Sequence, residues 1–571
     1  MQVCKKEETV EKGFDLNRRS FIKGAAMATV AAAAASLAGC ASESEGEAAL
    51  ASTGQQWDAE TEVLVLGFGG AGAVSAVTAH EAGADVLILE KAPHSGGGVS
   101  SVAGANTCAV IDADKAFEYV KAACQGTTPD EVLRAWADEG ATLADWLDEH
   151  EIGYEDRGDA VGFTTLSGGD EEIATTLTLS DPDDKTNAGG HYFMQWATDY
   201  MNDNGIEIRF DTRATDFIQD PETKAVIGVK ALSGGQEIAV RAKKGVVLAT
   251  GGFEANTEMM ANYVRPWPIK PAGWPLNTGD GIKMAQAIGA DLWHMSNVTG
   301  SGYVFDEPDH VVGRTNFKNY VKNGAFLFVN RNGERFQCEH PSTYWSHLST
   351  LAYDRFDETR KQPTTDYRDI PFYVVFDETL RTAGSLFPDT GKVSGLPLVP
   401  ADLGGQDHQW SEDNLEEIEM GWILKADTLE ELAEAMNADA TQYGYAMTGE
   451  ALAATVERFN GFCETGVDED FGRPAATGDT QNLIALTNPP FYAMRFMPSM
   501  CSTCGGPVKN EKGQILNVKG EVIPRLYGAG VVSHAAGFTY PFSGFNWSEV
   551  FNGGRIAGRG AAAEEVEEVE A

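Results

Sequence analysis

An apolar strand, Thr61 to Leu66, runs straight into the glycine turn Gly67-Phe68-Gly69-Gly70-Ala71-Gly72. The spacing predicts a helix over 73–81 with Val74 and Val77 inward, then a second strand from Asp85 to Leu89 that ends on Glu90. Strand, turn, helix, strand and terminal acid within about thirty residues form the dinucleotide-binding fingerprint. Gly67 permits the tight turn, Gly69 lets backbone approach a pyrophosphate, and Gly72 lets helix and strand pack closely. The helix N-terminus at Gly70 and Ala71 offers N–H groups to phosphate charge. An acid at Glu90 is placed to accept both hydroxyls of an unphosphorylated adenosine ribose, as in FAD or NAD.

The chain has 571 residues, too many for one simple core, so two or three lobes are expected. A net charge of −42 argues against nucleic-acid binding. Part of it lies in the tail Glu564 to Glu570, read as a solvated terminus. The N-terminal segment reads as an address. Asn17-Arg18-Arg19-Ser20-Phe21-Ile22-Lys23 and the Ala-rich run after it resemble a twin-arginine export signal. Leu37-Ala38-Gly39-Cys40 resembles a lipoprotein cleavage box, which would leave Cys40 lipidated on a bacterial membrane; plain cleavage and release is the alternative. Of the remaining cysteines only Cys501-Ser502-Thr503-Cys504 has suggestive spacing, and it reads as a disulfide or two core thiols, with no metal site expected.

Glycine-rich backbone recurs along the chain. Gly96-Gly97-Gly98-Val99-Ser100-Ser101 through Gly104 reads as a loop wrapping a ligand, with both serines as hydroxyl donors. A buried strand from Lys244 ends on Thr250-Gly251-Gly252, and Thr278-Gly279-Asp280 opens a helix whose backbone can face the same ligand. From Leu292 to Pro490 aromatics, prolines and acids dominate, marking a separate lobe in which Arg335 sits just past the turn at Gly333. The pattern then returns: a strand ending on Gly528-Ala529-Gly530, and a helix carrying Asn546 and Trp547 at its head.

These pieces in this order resemble the fumarate reductase/3-ketosteroid dehydrogenase family of FAD-dependent flavoproteins, from Thr61 to Gly560. The motifs that carry the resemblance are Gly67-x-Gly69-x-x-Gly72, Glu90-Lys91, Gly96-Gly97, Ala249-Thr250-Gly251-Gly252, Thr278-Gly279-Asp280-Gly281, Gly333-Glu334-Arg335-Phe336, Tyr527-Gly528-Ala529-Gly530 and Gly554-Arg555-Ile556-Ala557-Gly558. The resemblance implies an α/β fold with a discontinuous Rossmann-like, glutathione-reductase-type FAD domain and an inserted α+β capping domain. The expected division is 1–56 signal, lipobox and linker; 57–291 and 491–571 FAD domain and acidic tail; 292–490 capping domain. It also implies FAD as cofactor, contacted by residues 67 and 69–72, Glu90, Lys91, Gly97, Gly98, Ser100, Ser101, Gly104, Thr250, Gly251, Gly252, Asp280, Gly530, Asn546 and Trp547. The implied chemistry is hydride transfer between flavin N5 and a carbon–carbon bond beside an electron-withdrawing group.

Departures point to a branch. Fumarate-type members hold a dicarboxylate with two histidines and two arginines, and Arg335 is the counterpart of one arginine, the supposed proton donor. The expected histidines are missing, one of them falling on Ser502, and no arginine occurs between Arg525 and Arg555. A dicarboxylate there would leave a buried anion unpaired, which argues against fumarate. Thr539-Tyr540-Pro541-Phe542-Ser543-Gly544 instead resembles the Tyr-Pro-x-x-Gly segment of 3-ketosteroid dehydrogenases, in which the tyrosine hydroxyl and glycine N–H grip a ketone oxygen. Two neutral donors converging on a carbonyl that gathers enolate charge make an oxyanion hole. Phe542 replaces a family glycine and leaves the pocket width open.

Arg335 is a candidate acid through a relay, or else a structural partner of Glu334 or Glu339. Tyr344, Tyr303 and Tyr320 are further candidates, and His534 is placed either beside the flavin or in the core. The expected enzyme is an exported FAD-dependent ene-reductase or dehydrogenase acting on a bulky apolar enone such as a 3-oxosteroid. The alternative is a reductase of a fumarate-, urocanate- or cinnamate-like acid. A membrane cytochrome or quinol is the expected electron donor, in keeping with anaerobic respiration. A disulfide-type pyridine-nucleotide oxidoreductase would need a second Gly-x-Gly-x-x-Gly, and none is present.

Overall fold

The fingerprint strand β1 (Ala59–Leu66) runs parallel to β2 (Val86–Leu89) on one side and to β3 (Gln236–Leu248) on the other. Its last four residues, Val63 to Leu66, are buried, as expected for a strand covered on both faces of a parallel sheet. Beyond β2 lies Glu207–Arg209, and beyond β3 lies Val522–Gly528, so the chain's late strand joins the sheet begun at its start. Helix α1 (Gly70–Glu81) connects β1 to β2 and is buried from Gly70 to Ala79. It packs against α2 (Phe545–Ala563), the last helix, whose inner face is likewise buried. The computed structural model describes residues 55–566, apart from 95, 163–164, 170–171, 300–301, 316, 318–322, 340–355, 358–361, 364–366, 388–391, 394–395, 398–400, 404, 406–407 and 538–539.

A second sheet forms the other lobe. Its middle strand, Phe491–Met500, pairs antiparallel with Gly302–Phe305, Phe372–Asp377 and Leu424–Ala426, and Phe326–Val329 pairs with Phe372–Asp377. Aromatic side chains fill the core over this sheet, including Phe305, Phe317, Phe328, Phe372 and Phe496. The strand 491–500 was expected in the returning part of the first domain, and here the structure corrects the boundary. The near-continuous apolar run of that strand fits a buried position in either sheet, and only its pairing decides. The described residues form one compact unit.

Candidate active site

A cavity of about 450 Å³ lies where β1, β3 and the heads of both α1 and α2 meet. At its nucleotide end, Gly67 has φ +100°, and a β-carbon there would sit 2.6 Å from the Ala249 carbonyl oxygen. Gly72 packs directly on the Gly67 carbonyl. The Gly70 N–H donates to Ser100 Oγ at 3.1 Å, the helix cap at Gly69 supplies no side-chain acceptor, and no described residue accepts the Ala71 N–H, which leaves it for an anion. Glu90 takes the Phe68 N–H on Oε2 (2.7 Å) and the Ala92 N–H on Oε1 (2.8 Å), which fixes the carboxylate at the cavity wall with a second lone pair on each oxygen.

Lys91 Nζ donates to Thr278 Oγ1 (2.9 Å) and to Asp280 Oδ2 (3.1 Å), while Arg213 forks onto both Asp280 oxygens at 3.0 Å. Burial pushes the Asp280 carboxyl up, but Lys91 and Arg213 outweigh it and hold the group below its ordinary value. Thr250 Oγ1 is a buried atom with no partner among the described residues, on the cavity wall. A ligand with its own donors and acceptors would satisfy it.

At the other end, Tyr540 and Gly544 both line the cavity. Gly544 caps α2 with φ +85°, and a β-carbon there would press on the Asn106 carbonyl oxygen at 2.5 Å. The Asn546 N–H, in the first turn of α2, donates to Tyr540 Oη at 3.2 Å. No described residue accepts the Gly544 N–H. Burial raises the Tyr540 hydroxyl well above its ordinary pKa, so it stays protonated at neutral pH. The Asn546 side chain ties this wall to the strand pair 298–299 and 502–503, donating from Nδ2 to Thr299 Oγ1 (2.9 Å) and accepting from the neighbouring buried Cys504 thiol (3.8 Å). Cys501 and Ser502 line the cavity beside it, and Cys501 and Cys504 are not bonded to each other.

The FAD binding domain family model matches residues 62–546. The chain belongs to that family. It is 27% identical to the digoxin reductase of Eggerthella lenta, over 97% of this chain and 98% of that protein. It is 27% identical to the cytochrome-type fumarate reductase of Shewanella frigidimarina, over 91% of this chain and 80% of the relative. Among solved structures, the 3-ketosteroid delta1-dehydrogenase of Sterolibacterium denitrificans in complex with 1,4-androstadiene-3,17-dione superposes with a TM-score of 0.69 at 20% identity, covering 88% of this chain and 99% of that one. The last is a likeness of fold. The chain is an FAD-dependent oxidoreductase of the kind acting on CH–CH groups.

The residues present fit FAD: a glycine cradle, an anchored acid, and a helix N–H and a hydroxyl that no described residue satisfies share one wall. Of the expected cofactor residues, all but Gly72, Ser101 and Gly252 line the cavity. Those three support it from behind: Gly72 on Gly67, Ser101 through its hydroxyl to the Gly98 carbonyl (2.9 Å), and Gly252 against Thr503 and Glu254. Asp280 reaches the wall as the anchor of two cations.

Arg335 is a correction to the sequence reading. It does not line the cavity. Its Nε and Nη2 fork onto Glu339 at 2.8 and 2.7 Å, and Nη1 and Nη2 fork onto Asp468 at 3.2 and 2.9 Å. The side chain is 4% exposed, and Phe459 and Phe471 lie against its guanidinium. Burial opposes its charge, but the two carboxylates outweigh burial and hold its proton more tightly than usual, which suits an ion pair and not an acid. Tyr344 and Tyr320 lie outside the described residues. Tyr303 is buried in the second core. His534 is fully buried behind the site, accepts the Ala536 N–H, and is held neutral, its pKa lowered by burial to about 3.

Asn106, Trp274, Thr299 and Arg314 also line the cavity and were not singled out from sequence. The turn-rich Pro271-Ala272-Gly273-Trp274-Pro275 was a usable signal for Trp274. The other three carry no local signature, because they come from strand ends and loops of both lobes.

Proposed function

We propose that this enzyme reduces the C=C bond of a carbonyl-conjugated substrate, preferably a bulky apolar enone such as a 3-oxosteroid. The observation that carries this reading is the pair of groups at the head of α2 on one cavity wall: the Tyr540 hydroxyl and the Gly544 N–H, which no described residue accepts. FAD bound in the cradle supplies hydride chemistry at its N5. The protein's share is to hold the substrate carbonyl. Tyr540 Oη accepts from the Asn546 N–H, which fixes the phenol oxygen at the cavity wall, and the positive end of α2 adds to the stabilisation of enolate charge. Burial keeps water from competing for these donors.

A second reading, reduction of an unsaturated carboxylate as a respiratory acceptor, is supported by the likeness to fumarate reductases. The sequence of residues 17–40 supports a twin-arginine-exported, lipid-anchored enzyme supplied with electrons by a membrane cytochrome or quinol.

The test is anaerobic reduction of the holoprotein followed by flavin reoxidation on addition of a 3-oxo-4-ene steroid or fumarate. Rapid reoxidation by the steroid alone supports the carbonyl grip. Reoxidation by fumarate alone replaces it with the carboxylate reading. Membrane fractionation of the full chain against Cys40→Ala tests the anchor, which predicts release of the variant.

A further inference from the structure

Among the described residues three cationic residues line the cavity, and two of them, Lys91 and Arg213, converge on Asp280 at the nucleotide end. The third is Arg314, from the second lobe. Its backbone exchanges both hydrogen bonds with Phe305, at 2.9 and 3.2 Å, and the preceding Gly313 N–H donates to the Pro271 carbonyl at 2.8 Å. The side chain is therefore presented from a fixed backbone and not from a loose loop.

The guanidinium lies against Trp410, its Cζ 5.5 Å from the ring centre. Nε donates to Glu307 Oε2 at 2.9 Å, and Nη2 donates to Glu307 Oε1 at 3.2 Å and to the His408 carbonyl at 2.8 Å. These contacts use Nε and both hydrogens of Nη2. Guanidinium has five N–H donors in one plane. The remaining two are on Nη1, on the side away from the Glu307 fork, and no described residue accepts them.

We infer that Arg314 Nη1 is a second substrate anchor, donating to an oxygen of the substrate remote from the carbonyl held by Tyr540. The chemistry of the site selects the kind of oxygen. Glu307 is fully buried and already neutralises the guanidinium. A carboxylate gains most from two adjacent parallel donors, and here the Nη2 member of the outer pair is spent on Glu307 and His408. One single-centre donor suits a ketone or hydroxyl oxygen. Arg314 is thus a specificity-determining residue for an oxygenated, uncharged far end of an enone. The inference rests on the enone reading above.

The test compares 4-androstene-3,17-dione with androst-4-en-3-one, which lacks the second ketone, by equilibrium dialysis against the oxidised holoprotein. Wild type should bind the dione roughly tenfold more tightly, the effect of one hydrogen bond from a charged donor. Arg314→Met should shrink that preference to about twofold or less. Because this variant leaves Glu307 buried without its cation, the double variant Arg314→Met/Glu307→Gln is measured alongside. Equal binding of both probes by wild type, or a preference that survives in the folded double variant, overturns the Arg314 contact and leaves the enone reading standing. Binding of neither probe overturns both.

Discussion

Tyr540 accepts a hydrogen bond from the Asn546 N–H at 3.2 Å, across the first turn of the last helix. The phenol oxygen is thereby held against the helix N-terminus. In Tyr540→Phe the ring and its packing against Phe545 remain while the donor is lost. Flavin content should be unchanged and the rate of flavin reoxidation by a 3-oxo-4-ene steroid should fall roughly 100- to 1000-fold, the usual loss for one oxyanion-hole donor. Stopped-flow absorbance measures this directly, and a loss under tenfold would remove Tyr540 from the chemistry.

Arg335 is predicted to matter for stability first. Arg335→Met leaves Asp468 without its cation and Glu339 with Arg473 alone at 3.3 Å, a buried loss of roughly 3 kcal/mol. Denaturant unfolding should register it. A variant of native stability with a much lower turnover number would instead return Arg335 to proton transfer.

Gly67→Ala should lower bound flavin. The added methyl meets the Ala249 carbonyl oxygen at 2.6 Å in a backbone region that disfavours side chains, so β1 and β3 must shift where the cradle is tightest. The ratio of flavin to protein absorbance after purification reads the effect, and a fully loaded variant would count against this placement of the cofactor.

Glu254 sets a pH dependence. It is fully buried, and burial raises its pKa from 4.5 to about 7, against the hydrogen bonds from Asn277 (2.7 Å) and Thr503. A raised carboxyl pKa stabilises the fold below the unfolded value of 4.5, and that contribution is lost as pH rises to about 7. Glu254→Gln does not titrate, so its stability relative to wild type should increase from pH 4.5 to 7, by at most about 3 kcal/mol. Parallel unfolding curves across that interval would show that Glu254 does not titrate there.

Much of the nucleotide end was legible because its parts are neighbours in sequence. Gly67, Gly69, Gly70 and Glu90 lie within one strand-turn-helix-strand unit, and the structure sets all four on the cavity wall. The strand from Phe491 to Met500 shows the limit. Its apolar pattern announces a buried strand, and which sheet receives it depends on hydrogen-bond partners far along the chain. Arg314 shows the same limit at the site, since a lone arginine between Gly313 and Thr315 has no spacing to mark it.

Local backbone requirements were therefore determined by sequence alone: a glycine where φ is +100° at position 67, and at position 90 an acid that accepts one N–H from the turn and one from its own neighbour Ala92. Tertiary structure decided the pairing of charges and donors. Arg335 meets Asp468 from 133 positions away, and Asn546 reaches Thr299 from 247. A buried charge takes whichever partner the packing brings within about 3 Å, because leaving it unpaired costs more than almost any single contact returns. That choice is made by tertiary packing, for Arg335 inside the second lobe itself, and no stretch of chain carries it by itself.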